Sequence, residues 1–238
     1  MVTISKKYKE LPRPKSYMPG PVAPWSNIKI SDRKITKVQL IAVLNSYEVK
    51  TIELEQLSGN EPKNPTSAVL VPILLELSGQ LDSMLLIQRP HSMSSFSGDI
   101  AFPGGHLDEI DLDLKNCALR ETEEEIGIKS EDIEIIGRSK TRRTKSVDLL
   151  IAPYIGIISK TSLEKIQLNN HEVEMLHHIK IDDLFLPDNY YSEFWDTTDA
   201  SHLIHIFRLK DSIGRPVFIW GATAQILFDI LSSVNSTK

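Results

Sequence analysis

Two adjacent glycines followed by an acid-rich helical segment constrain the fold of this chain more than any other feature. Gly104 and Gly105 interrupt regular secondary structure after a short extended apolar stretch. Downstream, Glu121, Glu124 and Glu125 stand at positions i, i+3 and i+4, within roughly a third of a helix circumference. Like charges at this spacing destabilise a helix by a few tenths of a kcal/mol per pair. A bound divalent cation would offset the repulsion, and Mg²⁺ prefers oxygen ligands that it shares with substrate phosphates.

The alternative interpretation of these acids is an ordinary solvated helix face, and the flanking residues argue against it. Leu119, Thr122 and Ile126 fall on the opposite side of the helical wheel, so the helix has an apolar back and an acidic front. Gly127 follows at a position typical of a helix end. The pattern therefore indicates a helix that packs on the domain and presents its carboxylates to a ligand.

This segment resembles a Nudix box, whose family pattern is G-x5-E-x7-R-E-U-x-E-E-x-G-U, where U is aliphatic. The matching positions are Arg120, Glu121, Glu124, Glu125, Gly127 and Ile128. Counted from Gly105, the first acidic position holds Asp111, and eight residues rather than seven separate it from Arg120. Thr122 occupies the first aliphatic position. The insertion leaves the role of Asp111 open, whereas the R-E-x-x-E-E core is intact.

A second resemblance lies upstream of the box. The sequence LLIQR at residues 85–89, Gly98 and FPGG at residues 102–105 are similar to the signature L-L-T-x-R-S-x3-R-x3-G-x3-F-P-G-G. That signature belongs to the coenzyme A pyrophosphatase branch of the family. This branch also tends to carry a longer spacer between the glycines and the arginine of the box, as seen here. Ser94 stands where the second arginine is expected. With weaker downstream matches, the resemblance covers about residues 36–234.

The resemblance implies an α/β fold, specifically a Nudix-type α/β/α sandwich with a mixed sheet. It also implies metal-dependent hydrolysis of a diphosphate linkage, with Glu121 and Glu125 as the primary ligands of Mg²⁺ or Mn²⁺. Glu124 would be a third ligand or would orient the attacking water. Arg120 would either pair with an acid to hold the helix, which we favour, or contact the substrate. The general base is expected in a later segment, with Glu172 as first choice.

The implied substrate is coenzyme A or one of its thioesters, cleaved to 3′,5′-ADP and a phosphopantetheine. Two alternatives stay open. One is hydrolysis of another nucleoside diphosphate derivative, such as ADP-ribose, a dinucleotide or an oxidised nucleotide, which Ser94 in place of arginine favours. The other is a ligand-binding module without turnover, against which the three helix acids argue.

Several other residues are candidates for contacts with the substrate. Arg89 lies at the end of a predicted strand, and a guanidinium binds phosphate bidentately. Gly104 and Gly105 allow close approach of backbone N–H groups, since they lack a Cβ atom. The basic run at residues 140–145 could hold a 3′-phosphate or be a solvated hairpin loop. Glu174 is the second choice for the general base.

Histidines in the late segment are weaker candidates for metal ligands. His171, His177 and His178 cluster there, but a hard cation such as Mg²⁺ prefers oxygen. Cys117 is the single cysteine of the chain, and no activating base is identifiable beside it. We therefore interpret it as a small helix residue rather than a nucleophile.

Composition limits the classes of protein to consider. The chain has 238 residues and a formal net charge of −5, which argues against a general nucleic-acid binder. It contains no apolar run of the roughly 18 residues that a bilayer span needs, and no apolar core of a secretory signal near its start. We expect a cytoplasmic enzyme with a small-molecule partner, and the family resemblance implies a homodimer.

The order of predicted elements is consistent with one enzymatic domain after an N-terminal arm. Residues 1–33 are rich in proline and polar residues and are expected to form an extended arm, packed through Trp25 or mobile. Residues 34–238 are expected to form the domain. Strands are predicted at residues 67–77, 83–89, 133–137, 149–158, 172–175 and 203–209, a short helix at 35–44, a loop at 60–65 and a last helix at 222–234.

Overall fold

The protein is an α/β/α sandwich in which helices cover both faces of a mixed sheet. The structure is a computed structural model that describes residues 11–29, 33–58, 66–92, 96–144, 149–196 and 201–235, and of residues 48–58 and 235 the backbone alone. The predicted loop at residues 60–65, Ser94 and Lys145 lie outside these ranges. No described helix is both long enough and apolar enough to cross a bilayer.

The elements follow each other along the chain in a mixed order of strands and helices. The described α-helices are α1 (Lys37–Ser58), α2 (Leu114–Ile126), α3 (Ile181–Leu184) and α4 (Gly221–Asn235). The described strands are β1 (Tyr17–Pro19), β2 (Ser67–Leu75), β3 (Leu81–Gln88), β4 (Ile100–Ala101), β5 (Gly104–His106), β6 (Ile133–Arg138), β7 (Arg142–Arg143), β8 (Leu150–Ile158), β9 (Met175–Lys180), β10 (Tyr190–Asp196), β11 (Ser201–Lys210) and β12 (Pro216–Ile219).

The larger sheet has the strand order β4-β3-β2-β8-β6. In addition, β5 pairs with β2, β7 with β8 and β9 with β3. Strands β2 and β8 run parallel, whereas the other pairs in this sheet are antiparallel. A second, antiparallel sheet has the order β1-β10-β11-β12. The predicted mixed sheet is therefore confirmed.

Strand β2 shows why the sheet is covered on both faces. Successive side chains of a strand point to opposite faces. Ala68 and Leu70 pack in the apolar cluster that contains α2, whereas Val71 and Ile73 pack in the cluster that contains α1 and α4. All four are fully buried. A strand buried on both faces reads as a continuous apolar run, which is the pattern in the sequence.

Two of the predicted elements are wrong in their bounds. The short helix predicted at residues 35–44 is the 22-residue helix α1, because residues 45–58 contain no glycine or proline that would end it. The strand predicted at residues 172–175 begins only at Met175, where pairing with Gln88 of β3 starts. Glu172 lies instead in the turn before β9. The other predicted strands and the last helix are present with small shifts.

The segment before residue 34 packs on the rest of the protein through its described part. Strand β1 pairs antiparallel with β10. The Trp25 side chain is buried at 1% exposure, and its ring centroid lies 5.6 Å from that of Phe185 and 5.2 Å from that of Tyr190. Arg13 adds an ion pair with Glu193 at 2.7 Å. These contacts make residues 13–25 a part of the layer around β10.

Candidate active site

Helix α2 is fixed at both ends and along its apolar face, which sets the direction of its acids. The Asp113 carboxylate accepts a hydrogen bond from the Asn116 N–H at 2.8 Å and caps the start of the helix. Gly127 ends the helix in the left-handed conformation at φ 75°. Cys117 and Ala118 are fully buried on the sheet. Burial raises the pKa of the Cys117 thiol to about 11, so it is no nucleophile at neutral pH.

Glu125 is the buried acid of the site. The residue is 2% exposed, and its carboxylate accepts a hydrogen bond from the Gly104 N–H at 2.9 Å. Burial, together with the negative charges of Glu121 and Glu172, raises the pKa of Glu125 to about 8 against the opposing effects of the Gly104 hydrogen bond and the Arg89 charge. A buried carboxylate with this pKa gains much from a nearby cation, because the cation stabilises its charged form.

Glu121 lies one turn before Glu125, against the second glycine. A Cβ atom on Gly105 would lie 2.5 Å from the Glu121 carboxyl carbon, so the backbone there packs directly on this carboxylate. Burial raises the pKa of Glu121, and the nearby Arg120 guanidinium lowers it. An Arg120 Nη1 atom lies 2.9 Å from Glu121 Oε1. Two carboxylates, one buried and one half-buried, thus share the same side of α2.

Arg120 joins the acids of the helix to the spacer that precedes it. Its guanidinium donates to both carboxylate oxygens of Asp111, at 3.0 and 2.9 Å, and to Glu124 at 2.8 Å. A third contact reaches the His106 carbonyl at 3.2 Å. The Asp111 side chain is 2% exposed, and the Arg120 guanidinium holds the pKa of that carboxyl below its usual range. The same acids raise the pKa of Arg120.

The sequence left the role of Asp111 open, and the structure places it in this ion pair rather than with the other acids. The signal available in the sequence was an acid in the spacer with an arginine nine positions later, but spacing across a loop does not define a contact. Glu124 is the most exposed of the three helix acids, with 49% of its side chain accessible. Its placement is therefore compatible with a contact to water or to a bound ligand.

Arg89 supplies an uncompensated donor next to the buried acid. Its Nε atom is buried and has no hydrogen-bond partner among the described residues. Its backbone N–H donates to the Asp99 carbonyl at 3.0 Å, which fixes the residue at the end of β3. The Arg89 charge lowers the pKa of Glu125, so the two groups interact electrostatically. A guanidinium whose Nε donor has no partner is suited to bind a phosphate.

The two candidates for the general base lie in the turn that precedes β9. The Glu172 charge raises the pKa of both Glu121 and Glu125, and the turn that carries it is tied to α2 by the Asn169 N–H, which donates to the Glu125 carbonyl at 3.0 Å. The Glu174 carboxylate instead accepts a hydrogen bond from the His91 N–H at 3.0 Å. Of the two, Glu172 acts electrostatically on the acids of α2, whereas the Glu174 carboxylate is engaged by the segment after β3.

The donor set fits a hard divalent cation. The acids of α2 supply carboxylate oxygens, which are the ligands that Mg²⁺ and Mn²⁺ prefer. Among the described residues, no three histidine, cysteine, aspartate or glutamate side chains form a group that could hold a metal ion on its own. Mg²⁺ usually binds through one or two carboxylates and completes its shell with water and substrate phosphates. Glu121 and Glu125 satisfy that requirement.

Two of the three late histidines are engaged elsewhere. His177 is 1% exposed and lies between Asp211, at 3.0 Å from its Nδ1 atom, and Gln88, at 3.2 Å from its Nε2 atom. His178 contacts the Ser83 hydroxyl at 2.6 Å. These contacts hold β9 on the sheet, and neither imidazole belongs to the acidic side of α2.

The basic run after β6 lies on the other side of the sheet from α2, as far as the structure describes it. Arg142 forms an ion pair with Asp229 of α4. The Lys140 ammonium lies 4.9 Å from the centroid of the Tyr47 ring of α1. These two cations therefore belong to the layer of α1 and α4.

Replacing the two glycines by alanine is expected to have two different effects, one on folding and one on catalysis. A Cβ at Gly104, where φ is 153°, would lie 2.3 Å from the Ala68 carbonyl oxygen of β2, so Gly104→Ala should prevent stable folding. A Cβ at Gly105 would meet only the end of the flexible Glu121 side chain. Gly105→Ala should therefore fold, shift that carboxylate by about 1 Å and lower kcat about 100-fold. Thermal unfolding and steady-state kinetics test both, and unchanged kcat in Gly105→Ala would contradict the placement of Glu121.

Comparisons with known proteins identify the family of this chain. The sequence model of the family described as "NUDIX domain" matches residues 64–200. Nudix hydrolase 3 of Caenorhabditis elegans is 34% identical over 213 residues, which are 85% of this chain and 86% of the relative. The uncharacterized Nudix hydrolase NudL of Pectobacterium atrosepticum is 27% identical over 169 residues, 71% of this chain and 82% of the relative. A crystal structure of a MutT/nudix family protein from Enterococcus faecalis covers 85% of this chain and 75% of its own, with 17% identity and a TM-score of 0.45.

Proposed function

Since the chain belongs to the NUDIX domain family and is a Nudix hydrolase of phosphorus-containing anhydrides, we propose that it cleaves the diphosphate linkage of coenzyme A or its thioesters. The products would be 3′,5′-ADP and phosphopantetheine or its acyl derivative. The observation that carries the chemistry is the buried Glu125 and half-buried Glu121, one helical turn apart, beside the unpartnered Nε atom of Arg89. The signature at residues 85–105 supports the choice of coenzyme A.

Each acid of α2 has a distinct part in this proposal. Glu121 and Glu125 would hold Mg²⁺ or Mn²⁺, with Glu124 as a further ligand or a water contact, and the cation would neutralise phosphate charge and acidify bound water. The Gly104 N–H orients the Glu125 carboxylate through its hydrogen bond. Because that N–H already donates to Glu125, it is not available to the substrate. Gly104 would therefore affect the substrate by positioning the Glu125 carboxylate. Arg120 holds Glu121 and Glu124 in place.

Two residues outside α2 complete the reaction. Arg89 would bind a non-bridging oxygen of the diphosphate, which satisfies its Nε donor. Glu172 would take a proton from the water that attacks phosphorus, while the bond between that phosphorus and the bridging oxygen breaks and the leaving phosphate departs. Glu172 is the preferred base because its charge acts on both Glu121 and Glu125.

A second candidate function is hydrolysis of another nucleoside diphosphate derivative, such as ADP-ribose. The observation that favours it is the engagement of Arg142 by Asp229 and of Lys140 by Tyr47, which leaves those two cations away from α2. A pocket for the 3′-phosphate of coenzyme A would then have to come from other residues.

Comparing coenzyme A with dephospho-coenzyme A separates the two proposals. The two molecules differ only in the 3′-phosphate, and a bound phosphate that pairs with an arginine or lysine is expected to change kcat/KM at least about tenfold. We expect coenzyme A to be the better substrate by that factor in the presence of Mg²⁺ or Mn²⁺. Equal values for both, together with a higher value for ADP-ribose, would favour the second candidate.

A further inference from the structure

A buried polar network lies behind the end of strand β3. The Asp211 side chain is fully buried and that of His177 is 2% exposed, and the His177 Nδ1 atom lies 3.0 Å from an Asp211 carboxylate oxygen. Asp211 also accepts hydrogen bonds from the Arg215 side chain at 2.5 Å and from the Arg215 N–H at 2.9 Å. The Arg215 guanidinium in turn donates to the Leu176 carbonyl of β9 at 2.6 Å. The turn between β11 and β12 thus holds the His177 imidazole in one orientation.

The network lies on the face of the sheet opposite α2, and it ends on Gln88. Successive residues of β3 alternate between the two faces, since Ile87 packs in the cluster that contains α2 and Leu86 packs in the cluster that contains α1 and α4. The same alternation places the Arg89 side chain on the face of α2 and the Gln88 side chain on the opposite face. There the His177 Nε2 atom lies 3.2 Å from Gln88 Oε1. His177 therefore contacts the residue immediately before the arginine that is proposed to bind the diphosphate.

Gln88 is the last residue of β3, where the ladders of the sheet come to an end. Its pairing partners are Met175, the first residue of β9, and Ile100, the first residue of the two-residue strand β4. Beyond Gln88, the Arg89 N–H still donates to the Asp99 carbonyl at 3.0 Å. Strand ends open at a lower cost in free energy than the middle of a sheet. The contact of the Gln88 side chain with a buried group therefore anchors the chain at the point where Arg89 leaves the sheet.

The chemistry of the network indicates more than the packing of β9. A buried carboxylate costs several kcal/mol to desolvate, and apolar side chains of similar volume often stabilise a protein at least as well as a buried charged pair. Strand β9 already pairs with β3 over residues 175–180. Hydrogen bonds to both ring nitrogens of His177 add a fixed direction, which apolar packing does not supply. Such a support is suited to a neighbouring side chain that must be held within about 0.5 Å of its working position.

We propose that His177, oriented by Asp211, is a positioning residue of the hydrolase: through Gln88 it holds the end of β3 so that the Arg89 guanidinium can bind the diphosphate. The proposal rests on the proposed diphosphate hydrolysis, in which Arg89 binds a non-bridging oxygen. The Arg89 Nε atom is buried and has no hydrogen-bond partner in the described part of the chain, so the placement of the guanidinium depends on the backbone that carries it. His177 touches neither the substrate nor the cation and acts through Gln88 and Arg89.

A double-mutant cycle in kcat/KM tests this role. Gln88→Met and His177→Phe each remove one side of the contact and keep a side chain of similar size. With Mg²⁺ and coenzyme A or ADP-ribose, each is expected to lower kcat/KM at least about tenfold, because a small displacement of Arg89 weakens its bond to the diphosphate. The double variant should be no less active than the more affected single variant, since both substitutions break the same contact. In an Arg89→Ala protein, Gln88→Met should cause no further fall in kcat/KM.

His178→Phe is the matched control. His178 follows His177 in β9 and contacts the Ser83 hydroxyl at 2.6 Å, near the other end of β3. This substitution also removes a hydrogen bond between the same two strands, but far from Gln88, so kcat/KM should stay within about twofold of the unsubstituted protein. Thermal unfolding of every variant separates a loss of positioning from a loss of folded protein. Gln88 is only half-buried, so Gln88→Met is expected to fold and tests the contact independently of His177→Phe.

The possible outcomes separate the positioning role from the chemistry. A fall in kcat/KM in folded Gln88→Met that disappears in the Arg89→Ala protein would support the role of His177. A normal kcat/KM in folded Gln88→Met, a further fall when Gln88→Met is added to Arg89→Ala, or an equal fall in His178→Phe would overturn it and leave the hydrolysis standing. Absence of metal-dependent cleavage of either diphosphate by the unsubstituted protein would instead refute the proposed function itself.

Discussion

Glu125→Gln is expected to lower kcat at least about a thousandfold at saturating Mg²⁺, which corresponds to about 4 kcal/mol of the activation barrier. Glutamine has the shape of glutamate and can still accept the hydrogen bond from Gly104, but it lacks the negative charge that a divalent cation requires. The loss should therefore be one of metal-dependent chemistry in a folded protein. Glu131→Gln, at an exposed position outside the site, is the control and should keep full activity.

The same substitution should also change the pH dependence of stability in the absence of metal. Burial raises the pKa of Glu125 from its ordinary value of 4.5 to about 8 in the folded protein. Between these pH values the unfolded state binds fewer protons than the folded state at this group, so stability falls as pH rises, by about 1.4 kcal/mol per pH unit. Glutamine does not ionise, so Glu125→Gln should not show this fall in the free energy of unfolding. At pH 8 the variant should be more stable than the unsubstituted protein by about 2 kcal/mol or more.

Urea unfolding with a chelator present, at pH 5.5 and pH 8, measures this effect. The unsubstituted protein should lose stability between the two values, whereas Glu125→Gln should lose much less. A variant that is inactive and also less stable at pH 8 would show that the substitution disrupts the fold. A variant with normal kcat would show that Glu125 does not hold the cation.

Arg120→Met is expected to destabilise the protein by about 3–5 kcal/mol, the usual cost of leaving one partner of a buried ion pair alone. Asp111 is 2% exposed at its side chain and would keep its charge without a positively charged partner, with the Asp108 N–H as its remaining donor. Adding Asp111→Asn to this variant removes that charge. The double variant Arg120→Met/Asp111→Asn should therefore be clearly more stable than Arg120→Met alone. Both variants should have a low kcat, because Glu121 and Glu124 lose the Arg120 guanidinium that holds them in place.

A double-mutant cycle by denaturant unfolding at pH 7 gives the coupling free energy of the pair. Lys34→Met, which breaks an exposed ion pair with Asp182, is the control and should cost no more than about 1 kcal/mol. The folded state also holds the pKa of Asp111 low, so the contribution of the pair is present at neutral pH and is lost as pH falls into the acidic range. Additive effects of the two substitutions would contradict the proposed coupling.

The sequence was most informative where periodicity and capping determine structure locally. The acidic front and apolar back of α2 and its end at Gly127 follow from helical spacing and from the special backbone freedom of glycine. The buried strand β2 follows from its continuous apolar run. The length of α1 did not follow from the spacing of its apolar residues, and the start of β9 did not follow because it depends on a pairing partner that is distant in sequence.

The candidate site, too, could be predicted from the sequence only where local spacing determines the structure. Spacing put Glu121, Glu124 and Glu125 on one side of a helix, but it assigned them no different environments. In the structure Glu125 is buried and Glu124 has 49% of its side chain exposed, because the backbone at Gly104 and Gly105 covers one edge of the acidic side and leaves the other open. The partner of Asp111 and the exposed Ile110 and Leu112 likewise depend on how the spacer folds back, which local pattern does not define.

Product analysis after incubation with coenzyme A tests the central proposal most directly. The protein would be incubated with coenzyme A and Mg²⁺ or Mn²⁺, with a chelator control, and with ADP-ribose in parallel. The account predicts 3′,5′-ADP and phosphopantetheine, formed only when the cation is present. Products that form equally in the chelator control, or the absence of any cleavage of both diphosphates, would contradict the assignment of Glu121 and Glu125 to a metal-dependent diphosphate hydrolase.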